Sequence, residues 1–250
     1  MSKLGPHVQF RLNLAEAGWR WCETAPIVKA MDDPVPLWRA NTDAITVFRV
    51  YVNPVDRDHI SPRSFLNMNI YRLQGFRLTY IESQNEWKAK GDWLLERITW
   101  ETEFVKLAHT AGYKVAGFCF PTGNPEQQDW FLLRDNGFCD VDAVALHEYW
   151  GQQAFTGWNA LRYRQVHEWL NGHHPPFIIT ECGRDAVEGC DGKPGWKLQG
   201  ISTKQYVEEL LAYDAEVSKD SYVLGATPFT LGATDDWRYF EVDSLAEELA

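Results

Sequence analysis

The sequence is short of positive charge. Lysine and arginine number 24 against 35 aspartate and glutamate residues, which gives a formal net charge of −11. A protein that binds nucleic acid or an anionic membrane surface needs a basic patch that neutralises phosphates, and a chain with this balance carries no basic stripe. We therefore expect neither nucleic acid nor a membrane as a partner.

Long apolar runs are absent as well. The longest stretches, around residues 45–52 and 142–146, are far shorter than the roughly 18 residues that a membrane-spanning helix needs. The first ten residues, MSKLGPHVQF, have neither the apolar core nor the small-residue cleavage site of a signal peptide. These features predict a cytoplasmic or phage-encoded chain without a signal peptide or transmembrane segment.

Cysteine is scarce, with five residues and no Cys-x-x-Cys pair. An odd number of cysteines cannot all pair, which favours free thiols in a reducing compartment. Cys182 and Cys190 bracket a glycine-containing segment, so a disulfide between these two remains an alternative.

Several catalytic signatures are missing. The sequence has no His-x-His or HExxH spacing for a metal, no GxSxG elbow, no Walker A motif and no GxGxxG after a strand. The DxxDxDxE run of substrate-assisted chitinases is also absent. We therefore expect no metal and no organic cofactor, and the sequence offers no support for serine hydrolysis, nucleotide hydrolysis or dinucleotide binding.

The sequence does contain a regular alternation of short apolar runs with longer segments of helical periodicity, and no Ser/Gly-rich linker interrupts it. Helical periodicity is clearest over 93–110, 158–170 and 203–219. We predict eight strands, at 6–10, 26–31, 45–52, 78–82, 114–118, 141–149, 177–181 and 223–229. Eight strand–helix repeats close a parallel barrel. The prediction is therefore an α/β fold, a single (β/α)8 TIM barrel that forms one catalytic domain over residues 1–250.

Alternation within the strands predicts a polar layer inside this barrel. If the apolar face of each strand packs outward against the helices, the alternate residues fill the barrel. The polar residues placed inside are His7, Gln9, Lys29, Arg49, Tyr51 and Glu82. A buried ionic layer is costly unless its charges are paired. Two alternatives stay open, a structural network or a set of groups that bind substrate and tune a catalytic carboxylate.

Two glutamates stand at strand ends on opposite sides of the predicted ring. Glu86 follows the fourth strand and Glu181 ends the seventh. Barrel active sites are built at these carboxyl ends, so the two side chains can face each other across the mouth. Glycoside hydrolysis uses such a pair, one as a proton donor and one as a nucleophile. Asn85 can then bind a sugar 2-hydroxyl, and Arg49 or His147 can hold Glu181 ionised.

The segments around these glutamates resemble a known family. YIESQNEW (80–87) resembles the Asn-Glu motif that closes strand four in clan A of the glycoside hydrolases, and FIITECG (177–183) resembles that clan's nucleophile segment. LHEYW (146–150) is similar to its His-x-Tyr pattern. The resemblance covers essentially the whole chain and extends to compact bacterial and phage barrels. It implies that Glu86 is the acid/base and Glu181 the nucleophile, with His147 and Tyr149 beside it.

Aromatic residues are abundant, with twelve tryptophans among them. The tryptophans in predicted loops or strand ends are Trp87, Trp150, Trp158, Trp196 and Trp237, and for each both sugar stacking and core packing are open. Strand eight ends in Phe229, where the clan often presents a tryptophan. The candidate aromatic contacts to substrate are Trp87, Trp150, Trp196 and Phe229. The glycine-rich segment 183–200, which carries Trp196, is a candidate lid.

The sequence as a whole predicts a retaining β-glycoside hydrolase that acts on a poly- or oligosaccharide, with a carbohydrate as its partner. Two alternatives remain. One is a muramidase-like cell-wall hydrolase in a phage or bacterial lysis context. The other is a non-catalytic carbohydrate-binding or virion-associated barrel. The oligomeric state is not indicated by the sequence.

Overall fold

Eight parallel strands form one closed barrel in a computed structural model of the chain, which describes residues 1–76, 79–152, 155, 157–187 and 193–250 apart from the side chain of Cys139. The strands are β1 (His7–Val8), β2 (Ile27–Ala30), β3 (Ile45–Phe48), β4 (Tyr80–Glu82), β5 (Lys114–Phe120), β6 (Ala143–Trp150), β7 (Phe177–Arg184) and β8 (Val223–Leu231). They follow chain order around the ring, and β1 closes it by pairing with β8. The predicted (β/α)8 fold is confirmed.

Helices connect most of the strands and cover the outside of the barrel. They are α1 (Glu16–Thr24), α2 (Val35–Ala40), α3 (Pro62–Leu73), α4 (Trp93–Thr110), α5 (Gln127–Asp135), α6 (Arg162–Trp169), α7 (Gly195–Leu198), α8 (Thr203–Val217) and α9 (Ala246–Leu249). Their buried apolar side chains form the main core with the outward faces of the strands. None of the described helices combines the length and apolar character that a membrane span requires.

Local sequence determines where several helices begin. The Ser61 hydroxyl accepts a hydrogen bond from the Ser64 N–H, and Pro62 occupies the first turn of α3. Helix α6 begins later than the predicted segment 158–170. Leu161 has φ 60°, and Arg162 is the first helical residue. The left-handed residue breaks the helical path, so the segment before it is not helical.

Strand β5 runs two residues beyond its predicted end and contains a bulge. Its pairing register with β6 shifts between Gly117 and Phe120, and Phe118 and Cys119 have φ values of 68° and 30°. An inserted residue reverses the alternation of side chains. Cys119 consequently belongs to the inner cluster of the barrel, a position that simple alternation from the start of the strand does not show.

Strand β3 is shorter than predicted, and this corrects one inward assignment. It ends at Phe48, so the alternation that placed Tyr51 inside the barrel does not extend that far. Tyr51 is 65% exposed and lies on the rim of the barrel mouth. The charged residues that were predicted inside the barrel, Lys29, Arg49 and Glu82, are buried.

Glu148 of β6 is a buried carboxylate that faces the helical layer. Its oxygens accept hydrogen bonds from the backbone N–H groups of Leu161 (2.7 Å) and Tyr163 (3.3 Å) and from the Tyr213 hydroxyl. Glu148 thereby satisfies donors at the start of α6, which has no side-chain cap of its own. Burial nevertheless raises the pKa of Glu148 to about 7, although the hydrogen bonds oppose this shift.

This raised pKa predicts a pH-dependent stability. Between about pH 4.5 and pH 7 the folded state binds more protons than the unfolded state, so the contribution of Glu148 to stability falls as the pH rises through that window. We expect the free energy of unfolding of Glu148→Gln, relative to wild type, to improve by up to about 3 kcal/mol from pH 4.5 to pH 8. Urea unfolding at both pH values measures this difference. The control variant Glu103→Gln, at an exposed position of α4, should show no such change. The prediction would be contradicted if the difference in free energy of unfolding between Glu148→Gln and wild type were the same at both pH values.

Candidate active site

A cavity of about 410 Å³ opens at the carboxyl ends of the strands. Its wall contains both predicted catalytic glutamates, Glu86 from the segment after β4 and Glu181 from β7. Asn85, Arg49 and Tyr149 also line it. The structure therefore brings most of the predicted polar site residues to one place.

Both carboxylate oxygens of Glu181 contact polar or charged side chains. Oε1 lies 3.2 Å from Lys29 Nζ and 3.5 Å from an Arg49 guanidinium nitrogen. Oε2 accepts a 2.8 Å hydrogen bond from the Tyr149 hydroxyl and lies 3.5 Å from Nδ1 of His147. Only 10% of its side-chain surface is exposed, so these contacts fix its orientation toward the cavity.

The environment of Glu181 favours the ionised form. Burial alone would raise its pKa, but the positive charges of His147, Lys29 and Arg49 outweigh burial and hold the pKa of Glu181 well below its usual range. Burial and the charge of Glu181 raise the pKa of Tyr149 well above its ordinary value, so this phenol stays protonated and donates. A buried, ionised and oriented carboxylate is suited to nucleophilic attack.

Glu86 occupies a different environment. Its side chain is 37% exposed, and Oε1 lies 2.7 Å from Nδ1 of His147. Its backbone is in the left-handed region, with φ 49°, and its N–H donates to the Cys119 carbonyl. The side chain lines the cavity, and one of its carboxyl oxygens contacts His147.

One nitrogen of His147 links the two glutamates. Glu86 Oε1 and Glu181 Oε2 lie 2.7 Å and 3.5 Å from the same Nδ1 atom, so these oxygens are separated by no more than about 6.2 Å, the two distances end to end. His147 is buried, which would lower its pKa, but the charge of Glu181 and its contacts with Cys119 and Glu86 raise the pKa well above the ordinary value. The protonated imidazole therefore lies between the two carboxyl groups and contacts both.

Arg49 joins Asn85 to this network. One guanidinium nitrogen donates to the Asn85 side-chain oxygen and lies 3.3 Å from the Cys119 sulfur. The Cys119 sulfur in turn lies 3.3 Å from Nε2 of His147. Asn85 thus lines the cavity in a fixed orientation, beside Glu86.

Beneath the mouth lies a buried ionic layer. Lys29 Nζ is 2.9 Å and an Arg49 nitrogen is 3.4 Å from Glu82 Oε2. Burial would raise the pKa of Glu82, but these two cations lower it to about 2. Since Lys29 and Arg49 also reach Glu181, the layer connects the barrel interior to the proposed nucleophile. The interior charges predicted from the strands therefore form one paired network.

One group of described side chains has the composition of a metal site. The ligand atoms of Glu82, Cys119 and His147 lie within 4.8 Å of one another. Lys29 and Arg49 already compensate Glu82, and an Arg49 nitrogen lies 3.3 Å from the Cys119 sulfur. Because protein cations occupy this space, we assign no metal to the group.

Two tryptophan predictions need correction. Trp150 ends β6 one residue after Tyr149, so it faces outward, where it packs against Tyr213 and its indole N–H donates to Glu209. Trp196 is buried in α7, stacks on Tyr206 at 5.0 Å, and donates to the Glu241 carbonyl. Neither residue lines the described cavity, so neither presents a face to a sugar.

Trp87 is placed away from the cavity as well. The left-handed turn at Glu86 directs it toward α4, where its ring packs edge-on against Trp100 and its indole N–H donates to Asp58. Phe229 does line the cavity, in edge contact with Trp237 at 5.2 Å. Trp237 is 41% exposed there. It is therefore the described tryptophan whose position fits a sugar-stacking role.

The candidate lid is only partly described. Gly183 and Arg184 belong to β7, and residues 195–198 form α7. Residues 188–192, with Gly189, Cys190 and Gly192, lie outside the described residues, so the lid stays a prediction. Cys182 is a buried free thiol.

Sequence reasoning missed several residues of the site. Simple alternation did not place Cys119 in the site because of the β5 bulge. Phe240 and Phe10 lie outside the strands and helices, and Arg57 lies in a short 3-10 helix, Pro54–His59. A signal for Phe10 existed, since it is the last residue of the first predicted strand, at the catalytic face. The position of Arg57 depends on its hydrogen bond to the Asn85 carbonyl, which no sequence pattern indicates.

Solved structures of three carbohydrate-active enzymes superpose on this barrel. A β-glucuronidase from Bifidobacterium dentium shares 15% identity, with 92% of this chain and 40% of that chain covered, at a TM-score of 0.59. A GH128 (subgroup II) endo-β-1,3-glucanase from Sorangium cellulosum shares 14%, with 98% and 97% covered, at 0.60. A GH113 β-1,4-mannanase shares 11%, with 98% and 96% covered, at 0.56. The chain has the fold of clan A glycoside hydrolases.

The similarity is one of structure and not of sequence. No protein-family model and no curated protein sequence matches the chain. Identities of 11–15% establish the fold alone. The chain spans about two fifths of the length of the B. dentium β-glucuronidase and nearly the full length of the other two enzymes.

Proposed function

We propose that this protein is a retaining β-glycoside hydrolase in which Glu181 is the nucleophile and Glu86 the acid/base. The observation that carries the proposal is the placement of both carboxylates on Nδ1 of His147, at 2.7 and 3.5 Å. The resulting upper limit of about 6.2 Å between these two oxygens is compatible with the ~5 to 5.5 Å that separates the carboxyl groups of retaining enzymes.

The different environments of the two glutamates support a division of roles. Glu181 is buried and held ionised by Lys29, Arg49 and His147, so it can attack the anomeric carbon. Glu86 is the more exposed of the two, and its side chain lines the cavity. It can therefore give a proton to the leaving oxygen and, in the second step, take one from water.

The reaction then proceeds in two balanced steps. Glu181 forms an ester bond to the anomeric carbon as the glycosidic bond breaks, and the Glu86 proton passes to the departing oxygen. Water, deprotonated by Glu86, next attacks the anomeric carbon and releases Glu181. Tyr149, which donates to Glu181 at 2.8 Å, orients this carboxylate for attack in the first step and stabilises it as it departs in the second.

The rim of the cavity supports a poly- or oligosaccharide substrate. Phe10, Tyr51 and Trp237 are partly exposed aromatic residues around the mouth, and such rings bind sugar faces. The three superposed enzymes are named for activities on β-linked sugars. A β-linked carbohydrate is accordingly the substrate class that we propose.

Turnover of a panel of aryl β-glycosides and β-linked polysaccharides tests this function. We expect hydrolysis of at least one member, with the β-anomer as the first product in proton NMR, because two displacements retain configuration. First release of the α-anomer would contradict the retaining mechanism. Binding without turnover across the panel would instead support the non-catalytic carbohydrate-binding alternative.

A further inference from the structure

Two buried polar side chains in the cavity wall have no role in the dyad. His7 of β1 and Gln84, which follows β4, are each 1% exposed and line the same cavity as Glu86 and Glu181. Within the described part of the chain, neither ring nitrogen of His7 has a hydrogen-bond partner, and neither does the amide oxygen or nitrogen of Gln84.

Buried polar groups without hydrogen-bond partners destabilise the folded state unless a bound molecule supplies those partners. A buried donor or acceptor without a partner costs about 1–3 kcal/mol, and most buried polar atoms in proteins are paired. The ring of His7 also packs edge-on against Phe229 at 4.9 Å, which fixes its position in the cavity wall. His7 is therefore held in the cavity wall, and the polar atoms of both side chains are left without a partner within the described part of the chain.

The charge state of these groups indicates what they bind. Burial, assisted by the charge of Lys29, holds the pKa of His7 well below its ordinary value, so the ring is neutral at pH 7. A neutral imidazole offers one donor and one acceptor, and an amide side chain offers both as well. A hydroxyl group can satisfy either kind of atom, whereas a carboxylate can satisfy only donors.

The ionised residues of the cavity also disfavour a ligand that carries a carboxylate. Arg49 is already paired with Glu82 and Glu181. Asp32 and Asp185 line the cavity in addition to Glu86 and Glu181. A carboxylate on the sugar would therefore enter a wall that is rich in acids. Arg57 is the cation that could compensate it, and one of its nitrogens already donates to the Asn85 carbonyl at 2.7 Å.

We infer that His7 and Gln84 bind hydroxyl groups of the sugar whose bond is cleaved, and that this sugar is neutral, with free ring hydroxyls, and not a uronic acid. The inference rests on the proposed function and deepens it by naming the substrate class. It also assigns a binding role to two residues whose contacts within the protein do not explain their placement.

A series of deoxy substrates tests this inference. Aryl β-glycosides of a neutral hexose that lack the 3-, 4- or 6-hydroxyl are compared with the parent sugar on wild type, His7→Phe and Gln84→Met. In wild type we expect removal of at least one hydroxyl to lower kcat/KM by about 10- to 100-fold, because a buried partner is left unpaired. In the variant that lacks this partner, the same removal should change kcat/KM by only a few-fold.

The comparison is a double-mutant cycle, so the intrinsic reactivity of each deoxy sugar cancels. The 2-deoxy glycoside is the matched control: its penalty should be the same in wild type and His7→Phe, because Asn85 is the residue we assign to the 2-hydroxyl. The phenylalanine retains the ring that contacts Phe229, and the wild-type deoxy series does not depend on either variant folding.

Two results would overturn the inference while the proposed function stands. One is a set of deoxy penalties that is the same in wild type and both variants. The other is a wild-type protein that hydrolyses the aryl β-glucuronide faster than the aryl β-glucoside. Arg57 would then be assigned to recognition of the sugar carboxylate. A wild-type protein that hydrolyses no glycoside at all would overturn the proposed function, and this inference with it.

Discussion

Replacement of Glu181 by alanine is expected to lower kcat on every glycoside by about 10⁴-fold or more, because no other group is placed to attack the anomeric carbon. Small anions should partly restore turnover of substrates with good leaving groups, since azide fits the space that the carboxylate leaves. The product should then be the α-glycosyl azide, because a single displacement inverts configuration. Proton NMR of the azide product measures this outcome.

The control for this variant must separate chemistry from folding. Removal of Glu181 leaves Lys29 and Arg49 with Glu82 as their described carboxylate partner, which will affect stability. Glu181→Gln keeps the shape of the side chain and should be equally inactive. Exposed Glu103→Gln should retain full activity. Turnover within about tenfold of wild type by a folded Glu181→Ala protein would remove Glu181 from the role of nucleophile.

Replacement of Glu86 by alanine should produce a different pattern. The first step with a 2,4-dinitrophenyl glycoside needs no proton and should keep a rate near that of wild type. Substrates with poor leaving groups should lose about 10²- to 10⁴-fold in kcat/KM, because general acid catalysis is removed. Azide should accelerate the second step and yield the β-glycosyl azide, since it attacks the glycosyl ester from the opposite face.

The two azide products distinguish the roles independently of any rate. An α-azide from Glu86→Ala together with a β-azide from Glu181→Ala would reverse the assignment. Equal losses on activated and unactivated substrates, with no azide product from either variant, would contradict the double-displacement mechanism altogether. Glu86 is more than a third exposed, so its loss should cost little stability, and thermal melting checks this expectation.

The barrel could be predicted from sequence because its signals are local and repeated. Each strand is a short apolar run, and the alternation with helical segments yields both the number of strands and their order. The α4 boundaries, 93–110, agree with the structure because apolar periodicity is continuous over 18 residues. Predicted strand ends were less accurate: β5, β7 and β8 continue beyond their predicted ends, since polar and glycine residues there still pair with neighbours.

The polar members of the site could be predicted for the same reason, since strand ends of a parallel barrel meet at one face. Among the candidate aromatic contacts, Phe229 lines the cavity, but Trp87, Trp150 and Trp196 do not. Trp150 differs from Tyr149 by one position in β6, and this alone places it outside the barrel. The direction of Trp87 depends on the φ angle of Glu86, a property of the folded chain. Strand alternation placed His7 inside the barrel, but Gln84 gave no signal, and the missing hydrogen-bond partners of both side chains are a property of the folded chain.

Closure of the barrel between β1 and β8 has a consequence for how the nascent chain acquires its structure. His7 pairs with Phe229, about 220 residues later, so the first strand to leave the ribosome waits for the last. Contacts of such long sequence separation form slowly. Until β7 joins the sheet, Lys29 of β2 and Arg49, which follows β3, lack Glu181, and a partly closed barrel would bury incompletely compensated positive charge. The ionic layer therefore destabilises partly closed intermediates and favours closure of the barrel in a single cooperative event.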